Sequence, residues 1–321
     1  MAYLRHCRYH RRLFVVYTRK ETMRRLLLCT AIGFSVSTMI YADMNAPIAA
    51  KVPYKVSSPN GDRDDPYYWL RDDSRSDEKM LAHLRAEKAF YEANAKQYAE
   101  LSETLAKEII GRVKQDDSSV PVKWKDYQYY TRYDAGKEYP IYARRSVKDN
   151  TEQVMIDGNV EAEGKNFFAI SNTLVSDNQQ ILAYAEDTSG RRQFTLRFRD
   201  LRTGKNLDDV ITGASASLAW AKDNKTIFYI ENDPVTLLST RVKKHVLGTD
   251  SKQDKVVYEE ADKSFYMGLG NTKDRAFVLI GLSSTISSEY LLIDANVVDA
   301  PLKVFAPREK DHKYDIEYLD G

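Results

Sequence analysis

The chain has 321 residues, 43% of them hydrophobic and 30% charged, which is enough for one large folded domain or two smaller ones. Its net charge of +1 argues against a nucleic-acid or membrane-surface partner. Its two cysteines, Cys7 and Cys29, both lie near the start, so the body of the chain has no disulfide, thiolate metal site or cysteine nucleophile. The five histidines, His6, His10, His83, His245 and His312, are scattered, with no pair at metal-ligand spacing and no H-E-x-x-H.

The first 42 residues read as a targeting segment. Met23-Arg24-Arg25 precedes an apolar run from Leu26 to Ile40, then Tyr41-Ala42-Asp43. A basic start, a short apolar core and a small residue before a polar one make a secretory signal. The run is short of the roughly 20 apolar residues that span a bilayer. Met1 to Thr22 reads as an upstream extension, and Cys29 as a signal-core cysteine, because Leu28 is too large to precede a lipid-modified one. The expected location is periplasmic or secreted, with no stable membrane association after cleavage. An uncleaved anchor, or a cytoplasmic chain without a signal, is the alternative.

Residues 43–121 form the next expected segment. Pro47, Pro53 and Pro59 break its opening, and Asp65-Pro66-Tyr67-Tyr68-Trp69-Leu70 places an aromatic cluster after a proline. Ser76 is the expected N-cap of a helix, with Asp77 and Glu78 in the first turn. Met80, Leu84, Tyr91, Ala95 and Tyr98 share one helical face, and Leu101, Leu105 and Ile109 the next, with a stop at Gly111. These stripes need a partner that the two helices cannot supply to each other. His83 beside them is expected to be a solvated or capping residue.

From 122 to 321 the pattern is short strands. Tyr127, Tyr129, Thr131 and Tyr133 alternate with Gln128, Tyr130 and Arg132, the period of a half-buried strand, and Asp134-Ala135-Gly136-Lys137 supplies a turn. Four Lys-Asp or Ser-Asp pairs then recur before strands, with Asp126, Asp177, Asp223 and Asp274 spaced 51, 46 and 51 residues apart. The strands begin at Tyr127, Ile181, Thr226 and Ala276, and each is followed by a second: Pro140 to Arg144, Phe194 to Asp200, Thr240 to Val246, Tyr290 to Asp294. Turn–strand units at a period near 50 predict a β-propeller, one four-stranded blade per repeat. A β-sandwich is the alternative, but it does not require an evenly repeated acidic turn. A fifth repeat is expected from His312 to Tyr318, and Asp320-Gly321 reads as a hairpin turn, so the sequence reads as truncated.

Four runs together resemble the prolyl oligopeptidase family of serine peptidases: Asp65 to Leu70, Gly111 to Pro121, Tyr129 to Tyr133, and Gly136 to Tyr142. The second and third are most similar to oligopeptidase B, also called protease II. The resemblance spans about Val52 to Gly321, with Arg71 departing where an acidic residue is usual. It implies a mainly β chain, an incomplete seven-bladed propeller preceded by a short helical segment that packs on an absent α/β-hydrolase domain. It further implies short peptide substrates cut after Arg or Lys, with that C-terminal domain as partner. No G-x-S-x-G elbow occurs; Gly213-Ala214-Ser215-Ala216-Ser217 lacks the closing glycine. The expected catalytic, cofactor-binding and metal residues within this chain are therefore none. A noncatalytic propeller that serves as a binding or scaffold module is the competing reading.

Overall fold

The computed structural model describes residues 45–297 and 299–321; the expected signal and upstream extension lie outside them. The chain divides into two compact units, one running to Leu105 and one from Ala106 to Gly321.

In the first unit, β1 (Lys55–Val56) pairs antiparallel with β2 (Arg63–Asp64). Tyr54 stacks on Tyr68 at 4.1 Å between centroids, and the Trp69 indole donates to the Ala50 carbonyl at 2.7 Å. The aromatic cluster thus ties this segment to itself. Helix α1 (Glu78–Ala95) is capped by Asp77, whose carboxylate accepts from the Met80 amide at 2.8 Å. The expected cap, Ser76, is instead the residue before. Asp72 accepts the amides of Ser76 and Asp77, so the chain enters the helix one residue later. His83 meets the Trp69 ring edge-on at 5.8 Å and Glu87 at 3.6 Å, a packed position rather than a solvated one. A 3-10 turn (Lys96–Tyr98) leads into α2 (Ala99–Arg112). The helix runs through Gly111 and ends at Arg112, because the first turn geometry comes only with the Val113 amide on Ile110. Of the predicted stripe, Met80 is buried, whereas Leu84, Tyr91, Tyr98, Leu101, Leu105 and Ile109 are exposed.

The second unit is built of antiparallel strands. Strands β3 (Val122–Trp124), β4 (Tyr127–Arg132), β5 (Ile141–Ser146) and β6 (Glu152–Asp157) form a four-stranded sheet in sequence order. A short helix α3 (Gly158–Glu161) follows. Next come β7 (Ala169–Val175), β8 (Ile181–Asp187), β9 (Phe194–Asp200), the long β10 (Lys205–Trp220), β11 (Thr226–Asn232), β12 (Ser239–Val246) and β13 (Lys255–Glu259). The last sheet is β14 (Tyr266–Asn271), β15 (Phe277–Ser283), β16 (Ser288–Asp294) and β17 (Lys303–Ala306). The predicted strand pairs are β4/β5, β8/β9, β11/β12 and β15/β16, the middle two strands of each blade.

The seven strands from β7 to β13 form one hydrogen-bonded sheet, where two separate blades were expected. Strand β10 belongs to both. It pairs with β9 up to Ala214 and with β11 from Ala214 onward, with register breaks on either side. Gly213, at φ +70°, turns the chain at the joint, so the outer strand of the second blade becomes the inner strand of the third without a loop.

Residues with period 2 decide the core. On β8, Leu182 and Tyr184 face a cluster with Met155 and Ile156 of the first blade, whereas Ala183 and Ala185 face Phe198 and Trp220. On β11, Ile227 and Tyr229 join that second cluster, and Phe228 and Ile230 enter a third with Ile280 and Ile293. An inner blade is thus apolar on both faces, which explains the unbroken runs Ile181 to Ala185 and Thr226 to Ile230. Each such Leu, Ile or Phe contributes about 1.5–3 kcal/mol by leaving water. On β4 the most buried residue is Tyr130, whose hydroxyl bonds Glu152 and whose ring lies under Arg145.

Two of the recurring acidic residues cap their own turns and two link the first blade to the second. Asp223 accepts the Lys225 and Thr226 amides and the Thr226 hydroxyl; Asp274 accepts the Thr272 hydroxyl and the Ala276 amide. Asp126 and Asp177 instead face each other's turns: Gln179 donates to Asp126 at 2.8 Å, and Lys125 meets Asp177 at 2.7 Å. The segment expected to open a fifth repeat forms no strand among the described residues. It lies on the last sheet, where the Ser288 amide donates to the His312 carbonyl and the Tyr314 hydroxyl to that of Ala306. A strand requires a ladder of backbone bonds, whereas this segment is held to the last sheet largely through the Ser288 and Tyr314 side chains.

Candidate functional site

The end of the propeller opposite the acidic turns carries the hairpins between second and third strands. There a cleft of about 640 Å³ opens in the third blade. Its walls are the β10 bend (Thr212, Gly213), the β11–β12 hairpin (Asn232 to Ser239) and the connection from β13 to β14 (Glu259 to Lys263). Asp233 shapes the hairpin by accepting the Val235 amide at 3.0 Å and the Thr236 amide at 2.7 Å. These bonds hold its carboxyl below the usual range. Asp262 does the same for its turn through the Ser264 hydroxyl and amide.

Five carboxylates line the cleft: Glu231, Asp233, Glu259, Glu260 and Asp262. They are nearly matched by cations. Arg241 bridges Glu231 at 3.2 Å and Glu259 at 3.1 Å, and Lys243 meets Glu231 at 2.9 Å. Arg308 holds Glu260 at 2.6 Å and Glu289 at 2.7 Å, and the Tyr258 hydroxyl donates to Glu260 at 2.7 Å. Burial pushes the Glu260 carboxyl up, but Arg308 and then Tyr258 pull it further down, so its net shift is downward. Glu231 follows the same balance, with Lys243 and Arg241 outweighing burial. The cleft's Glu231, Glu259 and Glu260 are therefore charge-paired and do not form a free cation trap.

No chemistry of bond cleavage is assembled there. The Ser239 hydroxyl meets Asn232 at 3.2 Å and the Thr240 hydroxyl donates to the Glu231 carbonyl at 3.2 Å, so neither faces a base. Among the described residues no group of three or more His, Cys, Asp or Glu side chains is arranged to hold a metal ion. His245 is fully buried between Asp209 (3.1 Å) and Asp254 (2.8 Å) and stacks on Phe198 at 6.0 Å; a carboxylate occupies each ring nitrogen, so neither is paired with a hydroxyl. His312 lies 5.6 Å from the Tyr314 ring. Ser215 and Ser217 are strand residues of β10, not the tip of a strand-to-helix elbow. Sequence reading did not find the cleft. Its one local signal was the acidic run Glu259 to Asp262; the facing wall comes from another hairpin.

A model of the prolyl oligopeptidase N-terminal β-propeller domain matches residues 47–321. The chain belongs to the prolyl oligopeptidase family, in its propeller domain. It is 42% identical over 319 residues to dipeptidyl aminopeptidase BI of Pseudoxanthomonas mexicana, covering 94% of this chain and 44% of that protein. It is 29% identical to protease 2 of Moraxella lacunata, covering 86% of this chain and 41% of the relative. Among solved structures, oligopeptidase B from Leishmania major superposes with a TM-score of 0.79 at 30% identity, over 85% of this chain and 41% of that one. The chain thus spans less than half the length of the relatives it matches. Among the described residues no helix is long and apolar enough to cross a membrane.

Proposed function

We propose that this chain is the propeller-bearing N-terminal part of an exported serine-type oligopeptidase that cleaves short peptides after Arg or Lys. The observation that carries the reading is the family match across residues 47–321. The similarity to protease 2 and to oligopeptidase B supports the oligopeptidase B branch. In this reading the propeller limits access and the chemistry resides in a C-terminal hydrolase domain, the chain's principal partner, so the 321 residues alone hydrolyse nothing. Export rests on Met23 to Ala42, and neither nucleic acid nor a stable membrane contact is involved.

A second reading is favoured by the 42% identity to a dipeptidyl aminopeptidase. The full enzyme would then remove dipeptides from free N-termini. The test is to express the complete reading frame and assay fluorogenic reporters ending in Arg, Lys or Pro, each with a free or blocked N-terminus. Hydrolysis of blocked Arg and Lys reporters, abolished by a serine-reactive inhibitor, is the expected result. A requirement for a free amine transfers the assignment to the second reading. Peptide binding without any hydrolysis leaves a noncatalytic binding module.

A further inference from the structure

The first two blades leave a slot of about 300 Å³ between them. Strands β3 to β5 supply one wall through Trp124, Tyr129 and Tyr142, which pack toward Met155 and Val175. Thr173 and Leu174 of β7 supply the other. The Tyr142 hydroxyl donates to the Ile170 carbonyl at 3.3 Å, so its ring lines the slot as an apolar surface.

Arg275 reaches the slot from the turn between β14 and β15. Its guanidinium lies 3.7 Å from the centre of the Trp124 ring and donates to the Val175 carbonyl at 2.8 Å. Stacking uses the face of the plane, and that hydrogen bond uses one N–H, so the remaining N–H edge is open to an acceptor. Among the described residues no carboxylate forms an ion pair with it. Burial pulls its pKa below the ordinary value, and Asp177, which opposes this, is itself held by Lys125 at 2.7 Å. Arg144 adds a second cation beside Tyr129, and it too donates to neutral groups, the Gln153 side chain and the Gln179 carbonyl. The slot therefore combines aromatic walls with uncompensated positive charge. Arg275 also sits at φ 59°, where the matching turn of the third blade holds Asn224 at 61°. Asparagine tolerates this region and a long side chain is strained in it, a kind of strain that marks functional positions.

We propose that this slot binds a small aromatic carboxylate, with its ring against Tyr129, Tyr142 and Leu174 and its carboxylate on the open N–H edge of Arg275. The size is at the lower end of small-molecule sites, about 300–1,000 Å³, and suits one ring with a short acidic arm. A planar guanidinium recognises a carboxylate by charge and geometry together, and a neutral ligand of the same shape leaves that edge unmatched.

The probe is phenylacetate, with phenylacetamide as its neutral counterpart, titrated calorimetrically into the full 321-residue chain. Saturable one-to-one binding with a Kd of about 1 mM or tighter is expected. Phenylacetamide should bind at least about tenfold more weakly, the cost of losing one charge-assisted pair. Arg275→Asn, which keeps a residue at ease in the turn, should weaken phenylacetate binding by a similar factor of at least about ten. Lys273→Ala, at an exposed lysine of the same turn, should leave it unchanged. Circular dichroism verifies folding of each variant. Absence of saturable binding, equal affinity for acid and amide, unchanged affinity in a folded Arg275→Asn chain, or an equal loss in Lys273→Ala overturns the proposal. Should Arg275→Asn not fold, Trp124 decides in a Trp69→Phe chain, where Trp220 is only 1% exposed. Phenylacetate that shields Trp124 from acrylamide, saturating at the calorimetric Kd, supports the site; quenching that does not respond to it overturns the site.

Discussion

Glu260 shows how one side chain connects burial, charge and stability. Its carboxylate is held by Arg308 at 2.6 Å and by the Tyr258 hydroxyl at 2.7 Å, and its pKa lies below the ordinary value despite burial. A carboxyl depressed in the folded state adds stability above the unfolded pKa, about 4.3, and loses it as pH falls through the folded value. Glu260→Gln should therefore lower stability at pH 7 by about 1–3 kcal/mol, the cost of leaving Arg308 short of a charged partner. At pH 3.5 the difference from the unaltered chain should shrink. Urea melts at the two pH values check this, and a deficit that stays constant would show that the pair gives no pH-linked stability. Arg308 also lies 4.0 Å above the Phe265 ring, so Arg308→Ala should cost more than the carboxylate change through lost packing.

At the scale of the element, β10 decides how the blades join. It extends from Lys205 to Trp220 and serves two blades because the chain turns at Gly213, at φ +70°, without leaving the sheet. An added Cβ there meets nothing within 4 Å, so a substitution costs backbone energy and not a clash. Gly213→Val should destabilise by about 1–2 kcal/mol, and Gly213→Asn by less, because Asn tolerates this region. Equal melting midpoints for the two variants would argue against backbone strain as the cause. The acidic turns show the same economy at the opposite end: Asp223 and Asp274 each cap their own turn, whereas Asp126 and Asp177 exchange partners between blades.

Across the whole chain, the two units bury their apolar residues to different degrees. The sheets keep Phe198, Trp220 and Ile280 nearly dry, whereas the helices leave Leu84, Tyr91 and Leu101 more than half exposed. Exposed apolar stripes of this kind mark interaction surfaces or association hazards. Replacing Leu84, Tyr91 and Leu101 together by Glu should abolish binding of a hydrophobic dye while shifting stability by no more than about 0.5 kcal/mol per site, the usual range for surface changes. Undiminished dye binding would place the exposed apolar surface elsewhere.

The sequence by itself determined the strand pairs, the repeat of acidic turns and the mainly β propeller class, because each rests on patterns within a few residues: alternation, turn chemistry and spacing. It determined the family as well, through runs such as Asp65 to Leu70 and Gly111 to Pro121 in their order. It could not resolve the helix cap, where Ser76 and Asp77 are equally good in isolation and Asp72 decides between them. Nor could it show that β10 is shared, since one glycine in a strand pattern fits a bulge, a bend or a loop. The cleft and the reach of Arg275 were decided only by tertiary structure. Their partners lie tens to a hundred residues apart, and which turn or hairpin stands opposite another depends on how neighbouring blades pack, a property that no local pattern encodes.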